Sequence, residues 1–195
     1  MKRSYETKRS TTETTIDLAF MLDGTGDENI RTGVGFFDHM LTLFTKHGRF
    51  DLSVQCDGDL HVDQHHTVED VGIVLGQAFQ QAIGTKEGIQ RYATVTTPMD
   101  ESLSTVSIDI SGRPHLVYHV EGLKDTVGQF DTELVQEFFQ GFVNHAGITL
   151  HINLQYGQNT HHIIESIFKG FGRALGEASA KNAQITGIPS TKGLL

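Results

Sequence analysis

The chain has 195 residues, 37% hydrophobic and 20% charged, which suits one compact unit or two small similar halves and argues against disorder, collagen and coiled coil. Lys and Arg number 15 against 24 Asp and Glu, a formal charge of −9, so a broad basic face for nucleic acid is disfavoured while a local basic pocket is not. Cys56 is the single cysteine, which precludes an internal disulfide and suits a reducing cytoplasm. No apolar run approaches the ~20 residues of a membrane span, and the opening MKRSYETKRSTTETT lacks the apolar centre of a signal peptide.

In chain order, residues 14–22 alternate as a half-buried strand. Residues 24–35 read as a long loop bearing glycine and charge. Residues 36–47 carry apolar side chains at three- and four-residue spacings, as an amphipathic helix does. Residues 51–55 are strand-like again, and 64–83 form a clear helix. The same order returns with a strand at 104–110, a helix at 132–145, a strand at 148–154 and a helix at 159–180. A tail at 187–195 contains PSTKG. Glycines interleaved in the long helices cost helix propensity, and close packing on a sheet is the expected compensation.

The order returns because the sequence does. FFDHMLTLFTKHGRFDLSV followed by HHTVEDVGIVLGQAF is matched by VQEFFQGFVNHAGITLHI followed by HHIIESIFKGFGRAL. Setting His47 on His145 places Phe44 on Phe142 and His39 on Glu137, and one short gap then aligns the histidine doublets. The chain therefore divides into halves at 1–90 and 91–195, each a two-layer unit with helices on one face of a sheet.

Each doublet, His65-His66 and His161-His162, opens an HHxxxE pattern. On a helix His65 shares a face with Glu69, and His161 with Glu165, while adjacent residues diverge by ~100°. One doublet can thus serve two metal sites but cannot chelate one ion with both rings. With His39 and Glu137 added, the expected division is His39, His66, His161 and Glu165 in one site, and His65, Glu69, Glu137 and His162 in the other. Imidazole and carboxylate without thiolate favour Mn, Fe, Ni or Zn, and four protein ligands with room for two more suit octahedral Mn²⁺. His61, His115, His119 and His151 lack the support of the repeat and read as strand or surface residues. Arg91, Arg113, Lys169 and Lys192 stand out in an acidic chain and suit a phosphate beside a dication. Lys169 shares a helical face with Glu165. Neither a Walker sequence nor GxSxG is present, nor GxGxxG in a dinucleotide-binding context. On the residues alone, a metal-storage cage and a metal-dependent hydrolase remain as alternatives to a lyase.

The segments TTET, GFFDHML, HVDQHHTVEDVGIVLG, PMDES, SGRPHL, GQNTHHIIESIFKGFGRAL and PSTKG resemble the imidazoleglycerol-phosphate dehydratase family over nearly the whole chain from Arg9. The resemblance implies an α+β fold of duplicated split β-α-β half-domains with left-handed crossover, helices packed on one face of each four-stranded sheet. It implies a cytoplasmic homo-oligomer of 24 subunits built from trimers, with active sites between neighbours and no nucleic-acid or membrane partner. It further implies two Mn²⁺ per subunit, with Fe²⁺ or another divalent metal as alternatives. The reaction implied removes water from D-erythro-imidazole glycerol phosphate to give imidazole acetol phosphate. Glu13 then matches the family's proton shuttle, with Glu69 and Glu165 in the catalytic set. Substrate contacts fall to Glu13, His39, His47, His65, Glu69, Arg91, Arg113, His161, Lys169, Ser190 and Lys192. Two departures stand out: Gln64 where the family often has Asp, and Glu137 in QEFF where it commonly has a metal-binding histidine. A carboxylate can replace imidazole on manganese.

Overall fold

The computed structural model describes residues 2–195. Its first half comprises β1 (Ser4–Ser10), β2 (Thr14–Met21), β3 (Glu28–Arg31), α1 (Gly35–Gly48), β4 (Asp51–Gly58) and α2 (His65–Ile83). Its second half begins with β5 (Tyr92–Met99), β6 (Ser102–Asp109), β7 (His115–His119), β8 (Thr126–Val127) and β9 (Phe130–Asp131). It ends with α3 (Leu134–Ala146), β10 (Thr149–Tyr156) and α4 (Thr160–Ser179). Each half holds a four-stranded sheet, ordered β1-β2-β4-β3 and β5-β6-β10-β7. In each, one edge strand runs parallel to its neighbour, β3 beside β4 and β7 beside β10. Parallel neighbours need a crossover rather than a tight turn, and α1 and α3 lie within those crossovers. Burial alternates along β2 and β6, which turn Ile16, Leu18 and Phe20, and Val106 and Ile108, towards the helices.

The stretch at 24–35 is not all loop: it contains β3, whose four residues ENIR pair only with β4. So short and polar an edge strand carries no period for a sequence to display. The glycines also differ from expectation, since most of those in the long helices face other helices rather than a sheet. The helices pair across the halves, α2 on α3 and α1 on α4. A Cβ at Gly72 or Gly76 would lie 2.5 Å from the carbonyl oxygen of Phe138 or Phe142, and one at Gly172 would overlap Phe44 O. Gly170 does face its sheet, against Thr97 and Val106.

The shared seams make one core. Phe44 stacks on Phe171 with ring centroids 5.2 Å apart, and Phe37 meets Phe138 edge-on at 5.4 Å, each pair joining the two halves. Because α1 lies along α4, the first half's His39 is delivered to the second half's histidine doublet.

Candidate metal and substrate site

The α1–α4 seam gathers three predicted ligands. Glu165 Oε2 lies 3.3 Å from His161 Nε2 and 3.8 Å from His39 Nε2. One ligand atom from each residue falls within 4.8 Å of the others, the only such group among the described residues. Phe36 meets the His161 ring edge-on at 5.1 Å and itself rests on Phe130 of β9. The other oxygen of Glu165 accepts Lys169 Nζ at 2.5 Å, one helical turn on. Burial alone would raise the Glu165 pKa, but the Lys169 ammonium and the flanking His39 and His161 rings outweigh it and hold the carboxyl below its usual value. An ionised carboxylate with two imidazoles is a donor set that fits a borderline-hard dication such as Mn²⁺, Fe²⁺ or Zn²⁺.

The helix starts orient both doublets. Asn159 caps α4, its side chain accepting from His161 N at 2.9 Å and His162 N at 3.4 Å. At α2, Asp63 accepts from His65 N at 2.8 Å, and Gln64 makes no capping bond. The departure at Gln64 therefore costs no cap.

The other candidate ligands are not assembled with these within one chain. His65 Nε2 lies 3.5 Å from Glu69 Oε2 on α2, as the spacing required. Glu137 is half-buried on α3, the helix that packs on α2. His66 turns away to Asp59, its Nδ1 3.0 Å from Oδ2, while its Nε2 sits 3.6 Å from Glu13 Oε1. His162 turns away to Glu101, with Nδ1 2.8 Å from Oε2. Asp59 and Glu101 raise the pKa of His66 and His162 respectively through these bonds.

Glu13 is exposed at the β1–β2 turn, where its N–H donates to Thr11 Oγ1 at 3.1 Å and its carbonyl accepts from Asp59 N at 3.0 Å. Arg91, Arg113, Ser190 and Lys192 line one cavity of about 520 Å³ beneath the C-terminal tail. Arg91 fixes that tail, donating Nη1 to Pro189 O and Nε to Asp109, each at 2.8 Å. Lys169 does not join this cavity but stays on Glu165. His47 lies in a different cavity of about 660 Å³, beside Arg49 and Arg173. Burial, then the charges of Lys169 and Arg173, lower its pKa. The sequence reading missed Asp59, Asp63 and Glu101. No repeat marks Asp59, whereas Glu101 could have been found by carrying the repeat back to the strand before each parallel crossover.

Residues 32–175 match the family described as imidazoleglycerol-phosphate dehydratase. The chain is 62% identical over 193 residues to the imidazoleglycerol-phosphate dehydratase of Oceanobacillus iheyensis, spanning 99% of this chain and all of the relative. To that of Trichlorobacter lovleyi it is 58% identical over 195 residues, covering 100% of both. The crystal structure of imidazoleglycerol-phosphate dehydratase from Staphylococcus aureus superposes with a TM-score of 0.84 at 45% identity, covering 92% of this chain and 99% of that one.

Proposed function

The chain belongs to the imidazoleglycerol-phosphate dehydratase family of histidine-biosynthesis hydro-lyases, and on that premise we propose that it eliminates water from D-erythro-imidazole glycerol phosphate to give imidazole acetol phosphate. The observation that carries the reading is the convergence of His39, His161 and Glu165, with Lys169 holding the carboxylate ionised. Two divalent cations are required, Mn²⁺ first, with Fe²⁺ or another dication able to substitute. His39, His66, His161 and Glu165 would hold one; His65, Glu69, Glu137 and His162 would hold the other. When bound, the cations supply Lewis acidity and a template for the substrate's imidazole.

The chain's own groups carry the remaining work. The hydrogen to be lost is on carbon with no adjacent carbonyl, so a positioned base is needed, and Glu13 beside His66 is the proton-transfer group. Glu69 and Glu165 complete the catalytic set, each beside the histidine one helical turn before it, on α2 and α4 respectively. Arg91, Arg113, Ser190 and Lys192 take the phosphate through charge-assisted hydrogen bonds. His47 and Lys169 line the approach. Because His66 and His162 turn from the cluster in their own chain, each site is completed by a neighbouring copy, in a cytoplasmic assembly of 24 subunits built from trimers. Cys56 takes no part, since burial pushes its thiol up to about 11. No helix is long and apolar enough to cross a membrane.

Purified protein with Mn²⁺ is expected to convert imidazole glycerol phosphate to a ketone. Chelation should abolish turnover and reduce sedimentation size, and Mn²⁺ should restore both. Metal-replete protein that forms no ketone ends the dehydratase reading; chelated protein that keeps assembly and turnover ends the metal requirement. At the divergent ligand position, Glu137→Ala should weaken one of the two cations selectively while Glu137→His retains both. Metal counting decides this, and two cations per subunit at wild-type affinity in Glu137→Ala would make Glu137 a helix-surface residue.

A further inference from the structure

The duplication diverges at one further place, and it concerns the two histidines that turn away. Met21 pairs with Asp51 in one half and Asp109 with Thr149 in the other, so β2 and β6 occupy equivalent places. The residue just before each strand is a glutamate, Glu13 and Glu101 respectively. Their surroundings differ. In the first half, Asp59 follows β4 and receives His66 Nδ1 at 3.0 Å, leaving Glu13 Oε1 3.6 Å from Nε2. In the second half, the residue following β10 is Gly157. Gly157 stands where Gly58 does in the first half, Gly58 against Thr14 and Thr67 and Gly157 against Ser102 and Ile163, so the place of Asp59 falls to Gln158, which has no carboxylate. Glu101 takes the histidine instead, with Oε2 2.8 Å from His162 Nδ1. Its Oε1 accepts from Asn159 N at 2.7 Å, Gln158 N at 3.2 Å and the Ser102 hydroxyl at 2.9 Å. Glu101 is thus committed on both oxygens, whereas Glu13 is not.

From this we infer that Asp59 and Glu101 are positioning residues. Each accepts the Nδ1–H of the outward histidine of its doublet, so that Nε2 carries the lone pair offered to a cation. Asp59 thereby frees Glu13 for proton transfer, a freedom that Glu101 lacks. A carboxylate on the distal ring nitrogen fixes both tautomer and orientation of a ligating imidazole. The inference rests on the metal sites proposed above.

The test compares Asp59→Ala and Glu101→Ala with Asp59→Asn and Glu101→Gln, which keep an acceptor oxygen. Mn²⁺ affinity and stoichiometry are read by calorimetric titration, with circular dichroism and sedimentation as checks of fold and assembly. Each alanine variant is expected to weaken one of the two cations by about 10- to 100-fold, and the amide variants should recover most of that loss. Glu101→Gln should also keep far more turnover than Glu13→Gln. Should Glu101→Ala fail to fold, since its carboxylate also caps the start of α4, Asp59→Ala decides alone. Wild-type affinity for both cations in Asp59→Ala overturns the inference while wild-type turnover leaves the dehydratase reading standing. Wild-type protein that binds no Mn²⁺ overturns both.

Discussion

Glu13→Gln is expected to lower kcat by on the order of 10²–10⁴-fold, the range for losing a general acid–base group, with metal content unchanged. Glutamine keeps the shape of the side chain and its hydrogen bonding but cannot accept a proton at the working pH. The backbone at this turn is held by Thr11 Oγ1 and Asp59 N, neither of which the substitution touches. Its neighbour His66 keeps its bond to Asp59, so the imidazole stays oriented. KM should change little, because the phosphate contacts proposed above are assigned to the separate cavity lined by Arg91 and Arg113. Unchanged kcat in metal-replete Glu13→Gln would remove Glu13 from the reaction.

The elements legible in the sequence are those with one buried face. β2, β6, β4 and β10 lie in the interior of their sheets or pair on both sides, and the four helices each bury a stripe; in all of these the period survives in the residue types. β1 and β3 escaped notice because they are edge strands whose SYETKRS and ENIR are largely exposed, with no apolar alternation to read. β5, also an edge, has a more alternating burial pattern, yet its threonines obscure it as apolar periodicity.

The site divides along similar lines. The pairs His65 with Glu69 and His161 with Glu165 follow from helical geometry alone, and they stand at 3.5 and 3.3 Å. Exchange of ligands between the repeats sets His39 with His161 and Glu165, but the α1–α4 pairing that brings His39 within 3.8 Å of Glu165 is not written in a stripe of apolar residues: the stripe says a face is buried, not against which partner. The basic residues illustrate the same limit. Arg91, Arg113 and Lys192 meet in one cavity, yet Lys169, of the same residue class, serves Glu165 instead. Asp59 was silent for another reason, since its equivalent is Gln158 and a repeat reports only what both copies kept.

The dependence of the His39 approach on helix packing gives a second large effect, far from any ligand atom. Gly172→Ala is expected to reduce turnover by about 100-fold, the loss typical of a displacement of roughly 1 Å in a catalytic constellation. A Cβ at Gly172 would overlap Phe44 O and lie 3.1 Å from Gly48 N. Both are backbone atoms of α1, so no side chain can swing aside and the helices must part. Alanine gains roughly 1 kcal/mol in helix propensity over glycine, while overpacking a seam costs about 1–3 kcal/mol. The net destabilisation is therefore modest, a fall in Tm of only several degrees at about 2–4 °C per kcal/mol. The site feels the separation more, because His39 rides on α1 and Glu165 on α4, and their 3.8 Å approach spans the seam being opened. Mn²⁺ affinity should fall with turnover. Gly35→Ala supplies the control, on α1, since a Cβ there meets nothing within 4 Å and both properties should stay at wild-type levels. Gly172→Ala protein with wild-type Mn²⁺ affinity and turnover would mean that the α1–α4 seam does not set the position of His39.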